Sequence, residues 1–166
     1  MDLYLVRHAI AERRGSAGVL DDHSRKLTPA GIKKMQHNVE ALCRLKVTFD
    51  EIWTSPLLRA KQTADILVEG LRLTKRPYIV RALAPGQKSE ILIQRLSRHA
   101  RDASIALVGH EPDLGKLASY LLLGSPLEAV AFKKGGVARI EVNNFKPFVR
   151  GCLHWLLTPK QMQIMR

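Results

Sequence analysis

The sequence predicts an α/β fold: a three-layer sandwich with helices on both faces of a mostly parallel central sheet, which is mixed by antiparallel C-terminal strands. Two short apolar runs, residues 3–6 and 105–108, have the pattern of strands buried on both faces of a sheet. Strands and amphipathic helices alternate through residue 124, and two consecutive strands follow. The chain of 166 residues is 46% hydrophobic, so we expect a single domain, residues 1–166.

The first strand ends in the pair Arg7-His8. In open parallel sheets, ligands bind just beyond the carboxyl ends of the strands, so chemistry is expected at this pair. The polar loop 12–26 that follows is long enough to cover a pocket. A helix is predicted over residues 29–44, with Thr28 as its N-cap and with an apolar stripe of Ile32, Met35, Val39 and Leu42.

The next two elements form a strand and helix pair. Residues 51–54 predict the second strand, and Ser55-Pro56 predicts the N-cap and first position of the second helix. That helix is expected to end near Gly70, and residues 78–80 predict the third strand. The buried stripe of the second helix is expected to be Leu57, Ala60, Ala64, Leu67 and Leu71.

The C-terminal half repeats this alternation and then changes. A third helix is predicted over residues 88–100, and residues 104–108 predict the fourth strand. A fourth helix follows Pro112 and ends at Gly124. The last two strands are predicted over residues 137–142 and 148–157. The third helix is expected to turn Ile91, Leu92 and Leu96 inward.

The charge of the chain is strongly positive. Lys and Arg number 27 against 15 Asp and Glu, which gives a formal net charge of +12. This excess favours anionic partners such as phosphorylated molecules, acidic proteins or nucleic acid, with a solvated basic surface as the alternative. Only 5% of the residues are aromatic, and no basic run is interleaved with aromatics, which argues against nucleic acid as the partner.

Other function classes are excluded by the motifs that the sequence lacks. It has no His-x-x-x-His or Cys-x-x-Cys spacing and no Gly-rich nucleotide loop, so we expect no metal and no cofactor. Cys43 and Cys152 are too few for a disulfide framework, and Cys43 falls on the apolar face of the first helix, where a buried thiol is expected. No apolar run could cross a bilayer and no signal-peptide pattern is present, which predicts a cytoplasmic protein without a membrane partner.

Two arginines and two histidines share one predicted edge of the sheet. Arg7 and His8 follow the first strand, Arg59 lies in the first turn of the second helix, and His110 follows the fourth strand. If these strands are parallel neighbours, the four side chains converge. An anion bound at the helix N-terminus would offset the unfavourable placement of a cation there. The pattern therefore predicts an anion pocket with an imidazole placed to attack; the alternatives are a loop histidine and a surface arginine.

Four segments of the chain resemble the motifs of the histidine phosphatase superfamily, which includes phosphoglycerate mutases and acid phosphatases. The short chain and the "GHEP" motif are similar to the SixA-type branch, small phosphatases that act on phosphohistidine in proteins. The resemblance extends along the whole chain, in the right order: Leu5-Val6-Arg7-His8 for "RHG", Leu27-Thr28-Pro29-Ala30-Gly31 for "LTxxG", Ser55 to Ala64 for "SPxxRAxQTA", and Val108-Gly109-His110-Glu111-Pro112 for the second histidine.

The resemblance implies a fold of the phosphoglycerate mutase type and a role for each matched residue. His8 would be the nucleophile that carries the phosphoryl group, and it must be neutral to attack. Arg7, Arg59 and His110 would bind the phosphoryl oxygens, with His110 working best protonated, so the two histidines should prefer opposite charges. Arg25 lies where the SixA-type branch has a further arginine, which implies that it also binds the phosphoryl group. The implied partner is a phosphorylated protein of the histidine phosphotransfer type.

The chain departs from the wider family in its supply of a proton donor. Ala9 replaces the glycine of the first motif, and residues 70–89 contain no carboxylate where many relatives have a glutamate that protonates the leaving group. Imidazole is a far weaker base than an alkoxide, so a pocket without an acid suits phosphohistidine better than a phosphate ester. Asp22, Glu12 or Glu111 could supply the proton instead.

Three functions therefore remain open at this stage. The first is a phosphohistidine phosphatase in signalling or phosphotransfer. The second is a phosphomonoesterase for small molecules. The third is a module that binds phosphate or another anion without catalysis, which the net charge of +12 favours.

Overall fold

The computed structural model of the chain describes residues 1–13, 15 and 21–165. Within them, one mixed sheet has the strand order β3-β2-β4-β1-β5-β6. The strands are β1 (Asp2–Arg7), β2 (Glu51–Thr54), β3 (Tyr78–Ile79), β4 (Ser104–Gly109), β5 (Val137–Asn144) and β6 (Arg150–Leu157). β1, β2, β3 and β4 run parallel to their neighbours in this group, and β5 is antiparallel to both β1 and β6. The predicted mixed sheet is confirmed.

Helices cover both faces of this sheet. The helices are α1 (Pro29–Arg44), α2 (Leu58–Gly70), α3 (Ser89–Leu96), α4 (Asp113–Leu123) and α5 (Pro159–Ile164). One hydrophobic cluster joins the sheet to α3 and α4, and the other joins it to α1, α2 and α5. The three-layer arrangement is thus the one that the sequence predicts.

β1 shows why an unbroken apolar run predicts a central strand. Leu3 and Leu5 belong to the cluster with α3 and α4, while Tyr4 and Val6 belong to the cluster with α1 and α2. Alternate side chains of a strand point to opposite faces. A strand that is covered on both faces therefore needs apolar residues at every position.

The register brings the carboxyl ends of three strands to one edge. Arg7 pairs with Gly109 between β1 and β4, and Thr54 pairs with Val108 between β2 and β4. The residues that follow these strands therefore leave the sheet side by side. This edge positions the candidate site.

The start of α1 agrees with its sequence signals, whereas the start of α2 does not. The Thr28 hydroxyl accepts a hydrogen bond from the N–H of Gly31, as predicted for an N-cap. Ser55 is not the cap of α2, because that helix begins at Leu58, after an extended Leu57. The Ser55 hydroxyl instead accepts the N–H of Leu57 and faces the sheet edge.

Two predictions about buried side chains are wrong. α3 ends at Leu96 rather than near residue 100, and Ile91 is 51% exposed because Leu92, Ile93 and Leu96 occupy the buried face of this two-turn helix. Cys43 is exposed. It is one residue beyond Leu42, which rotates it by about 100° away from the buried stripe of α1.

Part of the loop that is predicted to cover the pocket is not described. The proposed covering loop 12–26 includes residues 14 and 16–20, which lie outside the described residues. Across the described ranges, no helix is both long and apolar enough to span a bilayer.

Candidate active site

His8 leaves the end of β1 with one ring nitrogen directed toward other site residues. The side chain is 5% exposed, and its backbone N–H donates to the carbonyl of Gly109 in β4. Nδ1 lies 2.7 Å from the carbonyl oxygen of Ala9, which can only accept a hydrogen bond. Nδ1 therefore carries the proton of the neutral ring. Nε2 is left with its lone pair, which accepts from Nε of Arg59 at 3.3 Å.

Arg59 stands in the first turn of α2 and is 4% exposed. Its Nη1 donates to the backbone carbonyl of Asp22 at 2.7 Å, and its Nη2 lies 3.0 Å from Oδ2 of the same residue. A guanidinium group at a helix N-terminus binds hydrogen-bond acceptors, which the free N–H groups of the helix also attract. Arg59 thus places its positive charge directly beside Nε2 of His8.

His110 follows β4 and faces His8. Its side chain is 3% exposed, and the centroids of the two imidazole rings are 5.0 Å apart. Nε2 of His110 lies 2.8 Å from Oγ of Ser55, and Nδ1 is buried without a hydrogen-bond partner among the described residues. Since buried polar atoms are almost always paired, Nδ1 is suited to a ligand oxygen.

Ser55 is a site residue that the sequence reasoning treated only as a helix cap. Its hydroxyl fixes the ring of His110 by contacting Nε2. The available signal was its position, because Ser55 directly follows β2 at the edge where His8 and His110 follow β1 and β4.

Arg7 is oriented through a short relay to Glu111. Nη1 of Arg7 donates to the carbonyl of Phe132, whose N–H donates to Oε1 of Glu111. Arg7 Nε is buried and has no hydrogen-bond partner in the part of the chain that the structure describes. Glu111 therefore holds Phe132, the residue whose carbonyl binds Arg7, and this contact occupies one of the carboxylate oxygens of Glu111.

Arg25 reaches the site through Asp22. Nη1 of Arg25 lies 2.8 Å from Oδ1 of Asp22, so this carboxylate bridges Arg25 and Arg59. Nε of Arg25 donates to the backbone carbonyl of Glu12, whose carboxylate lies 3.7 Å from Nζ of Lys26. Arg25 is thus a neighbour of Arg59, and the carboxylates of Asp22 and Glu12 both face cations.

Thr63 connects α2 to the loop that carries His8. Its hydroxyl donates to the carbonyl of Arg59 at 2.7 Å and accepts the N–H of Ala9 at 3.0 Å. In the same loop region, a Cβ at Gly31 would collide with the carbonyl oxygen of Ile10. Thr63 and Gly31, which belong to the family motifs, therefore stabilise the backbone of the segments that carry His8 and Arg59.

Burial keeps both histidines neutral near pH 7. Burial lowers the pKa of His8 to about 4, and the charges of Arg59 and Arg7 act in the same direction. Burial lowers the pKa of His110 to about 3, with further lowering by His8 and Arg59. The expectation that His8 and His110 prefer opposite charges is therefore not met, because the surroundings of both rings lower their pKa values. A bound dianion would favour the protonated form of His110.

We expect the stability of the protein to fall as the pH decreases from about 6.5 to about 4. In this window the unfolded chain protonates His8 and His110, whose ordinary pKa is about 6.5, while the native chain does not. Thermal unfolding of the wild type and of His8→Ala between pH 7 and pH 4.5 measures the effect. The fall in midpoint should be smaller by about 5 °C in His8→Ala. The exposed His154→Ala is the control, and equal pH slopes for all three proteins would contradict the prediction.

The fold and this site together define a class of protein. An α/β sheet presents, at its carboxyl edge, a neutral imidazole whose Nε2 is unprotonated, two guanidinium groups and a second imidazole. Such groups are suited to hold a tetrahedral oxyanion and to attack its central atom.

Comparison with known proteins supplies the family. The sequence model of the histidine phosphatase superfamily (branch 1) matches residues 3–83. An uncharacterized protein of Picosynechococcus sp. is 38% identical over 139 residues, which cover 82% of this chain and 82% of that protein. The chain belongs to the histidine phosphatase superfamily, as the resemblance implies, and the matched residues 3–83 contain three of the four motifs.

Solved structures share the fold over nearly the whole chain. The protein histidine phosphatase SixA in complex with tungstate has a TM-score of 0.84 at 23% identity, covering 96% of this chain and 98% of that one. The α-ribazole phosphatase from Shigella flexneri has a TM-score of 0.74 at 21% identity, covering 96% and 97%. The superfamily and these neighbours support a phosphatase. The individual roles of the site residues stay predictions.

Proposed function

We propose that this protein is a phosphohistidine phosphatase that dephosphorylates a signalling or phosphotransfer protein without a metal. One observation carries the proposal: Nε2 of His8 keeps its lone pair and lies 3.3 Å from Nε of Arg59, beside the ring of His110. An anion held by Arg59 is thereby adjacent to a nucleophile. The complex of SixA with tungstate, a tetrahedral oxyanion, supports the same use of the shared fold.

The first step transfers the phosphoryl group to the enzyme. Nε2 of His8 forms a bond to phosphorus while the bond from phosphorus to the substrate imidazole breaks. The substrate ring carries a proton on its other nitrogen, so it departs as neutral imidazole. Arg7, Arg59 and Nδ1 of His110 bind the phosphoryl oxygens as their charge redistributes. In the second step water attacks the phosphorus, the bond to Nε2 breaks, and inorganic phosphate leaves.

The leaving group favours phosphohistidine over an ester. Imidazole has a reference pKa of about 6.5, so it departs without a strong acid beside it, whereas an alkoxide does not. The carboxylates of Asp22 and Glu111 are engaged with arginines and with the N–H of Phe132. Residues 70–89 supply none.

A side-by-side substrate panel tests the proposal. Initial rates on a phosphohistidine-bearing phosphotransfer domain, on phosphoserine and on an alkyl phosphate are measured with and without EDTA. We expect the phosphohistidine protein to have the highest kcat/KM, unchanged by EDTA. Preference for an ester would overturn the proposed substrate class.

A phosphomonoesterase is the second candidate, and Asp113 is the observation that favours it. Oδ2 of Asp113 accepts the N–H of Gly86 at 2.8 Å, and Asp113 lines the same small cavity as His110. The fold thus brings a carboxylate to the loop after β3, where the sequence has none. The fold likeness to an α-ribazole phosphatase agrees with this candidate.

Asp113→Asn separates the two candidates. If Asp113 protonates an alkoxide, the substitution lowers the rate on alkyl phosphates by about 10²-fold. Because imidazole leaves without such help, we expect less than about a twofold change on the phosphohistidine protein. Asp102→Asn, at the opposite end of β4, is the matched control. A large loss on phosphohistidine would mean that Asp113 takes part in that reaction and would contradict the leaving-group argument.

A further inference from the structure

The turn that precedes β5 is hydrogen-bonded to the end of β1, the strand that ends at Arg7 and is followed by His8. The N–H of Gly135 donates to the carbonyls of both Arg7 and His8 at 3.1 Å, and the carbonyl of Gly136 accepts the N–H of Arg7 at 3.1 Å. From α1, Nδ2 of the buried Asn38 donates to the carbonyl of Gly135 at 3.0 Å. Gly135 has a φ of +81°, a conformation that favours glycine. The backbone of this turn is therefore held against the site.

These hydrogen bonds hold the turn that carries Lys134 close to the positively charged side chains of the site. Lys134 is exposed, yet it interacts electrostatically with His8 and with four arginines: Arg7, Arg13, Arg25 and Arg59. Partial burial lowers the pKa of Lys134, and the charges of these arginines lower it further. A cation in such surroundings gains from any anion that approaches.

The chain itself provides no such anion for Lys134. It forms no salt bridge with a carboxylate of the described residues, and residues 14 and 16–20 contain no Asp or Glu. The carboxylate of Asp22 lies between Arg25 and Arg59. The ammonium group of Lys134 is therefore available next to the arginines of the site.

We infer that Lys134 is a specificity-determining residue that binds an acidic side chain next to the phosphohistidine of the substrate protein. The inference rests on the proposed function and adds the chemistry of the surroundings of the target histidine. The phosphoryl group is bound by Arg7, Arg59 and His110. Lys134 then contacts a carboxylate outside the transferred group, so it affects recognition more than the rate of transfer.

Peptides that differ only in charge beside the target histidine test this inference. Two phosphohistidine peptides are compared, one with Glu and one with Gln on both sides of the phosphohistidine. For Lys134→Ala we expect KM for the Glu peptide to rise about fivefold, the upper range for an exposed ion pair, with kcat nearly unchanged. KM for the Gln peptide should change by less than about twofold. Lys134→Arg should restore the preference, and Lys133→Ala, on the same turn, should leave it intact.

A binding measurement keeps this test independent of turnover. The same two peptides, carrying a stable phosphonate analogue of phosphohistidine, are titrated into the wild type and into Lys134→Ala. Loss of the preference for Glu in Lys134→Ala supports the inference even if phosphohistidine is not hydrolysed. An equal preference for Glu in the two proteins, or none in the wild type, overturns it. The proposed function fails separately, when the wild type hydrolyses esters but not the phosphohistidine peptides.

Discussion

His8→Ala abolishes turnover, with an expected loss in kcat of at least about 10⁴-fold. The reason is chemical: in the proposed mechanism Nε2 of His8 forms the bond to phosphorus, and alanine offers no replacement. The neighbouring ring of His110 is directed to Ser55 through Nε2 and cannot take its place without moving. Initial rates on a phosphohistidine protein measure the effect.

The phosphoryl intermediate gives this prediction a second, more direct readout. Rapid quenching of the wild type with labelled substrate should trap an acid-labile phosphoryl group on His8, and His8→Ala should trap none. The control is His154→Ala, because His154 is exposed on β6 and pairs with Glu141, away from the site. A wild type that binds phosphate but traps no label would instead be an anion-binding module. Full activity in His8→Ala would end the proposed mechanism.

Arg59→Lys has the second largest expected effect, a loss of about 10²- to 10³-fold in kcat/KM. Three nitrogens of Arg59 work at once: Nε contacts Nε2 of His8, while Nη1 and Nη2 contact Asp22. A lysine carries the same charge but has one ammonium group, which cannot reproduce a planar set of donors. The prediction therefore separates geometry from charge.

The matched control for this substitution is Arg139→Lys. Arg139 also binds one aspartate through two nitrogens, which lie 3.0 Å from the two carboxylate oxygens of Asp2, but at the opposite end of β1. We expect its activity to stay within about twofold of the wild type, because this partly buried ion pair lies away from the site. Thermal unfolding of both variants distinguishes loss of function from loss of fold. Activity of Arg59→Lys near the wild-type level would show that only the charge matters.

The sequence was sufficient for the main elements because the signals that define them are local. The apolar run 3–6 determines that β1 is covered on both faces, and the cap at Thr28 determines where α1 begins. The positions of Arg7, His8, Arg59 and His110 after parallel strands predicted one shared edge. The sheet order confirms that edge, since β4 lies between β1 and β2.

Where local signals compete, the sequence prediction failed. Serine is a preferred N-cap residue, but in the folded chain the hydroxyl of Ser55 contacts Nε2 of His110. Helix α2 begins three residues later, at Leu58. Ile91 and Cys43 each lie one position away from a buried stripe, where about 100° of rotation decides between core and solvent. Hydrophobic periodicity alone does not distinguish two helix positions that differ by one residue.

The sequence by itself was sufficient to predict the family, the layered fold and the meeting of Arg7, His8, Arg59 and His110 at one edge of the sheet. Only the tertiary structure decided which nitrogen of His8 lacks a proton, that Asp22 bridges Arg25 to Arg59, and that Asp113 lines the same cavity as His110. It also decided that the turn next to Lys134 is hydrogen-bonded to the end of β1. The reason is physical. Secondary structure follows from the burial pattern within one segment, whereas these contacts join residues from different segments, and they depend on how the strands are ordered and paired.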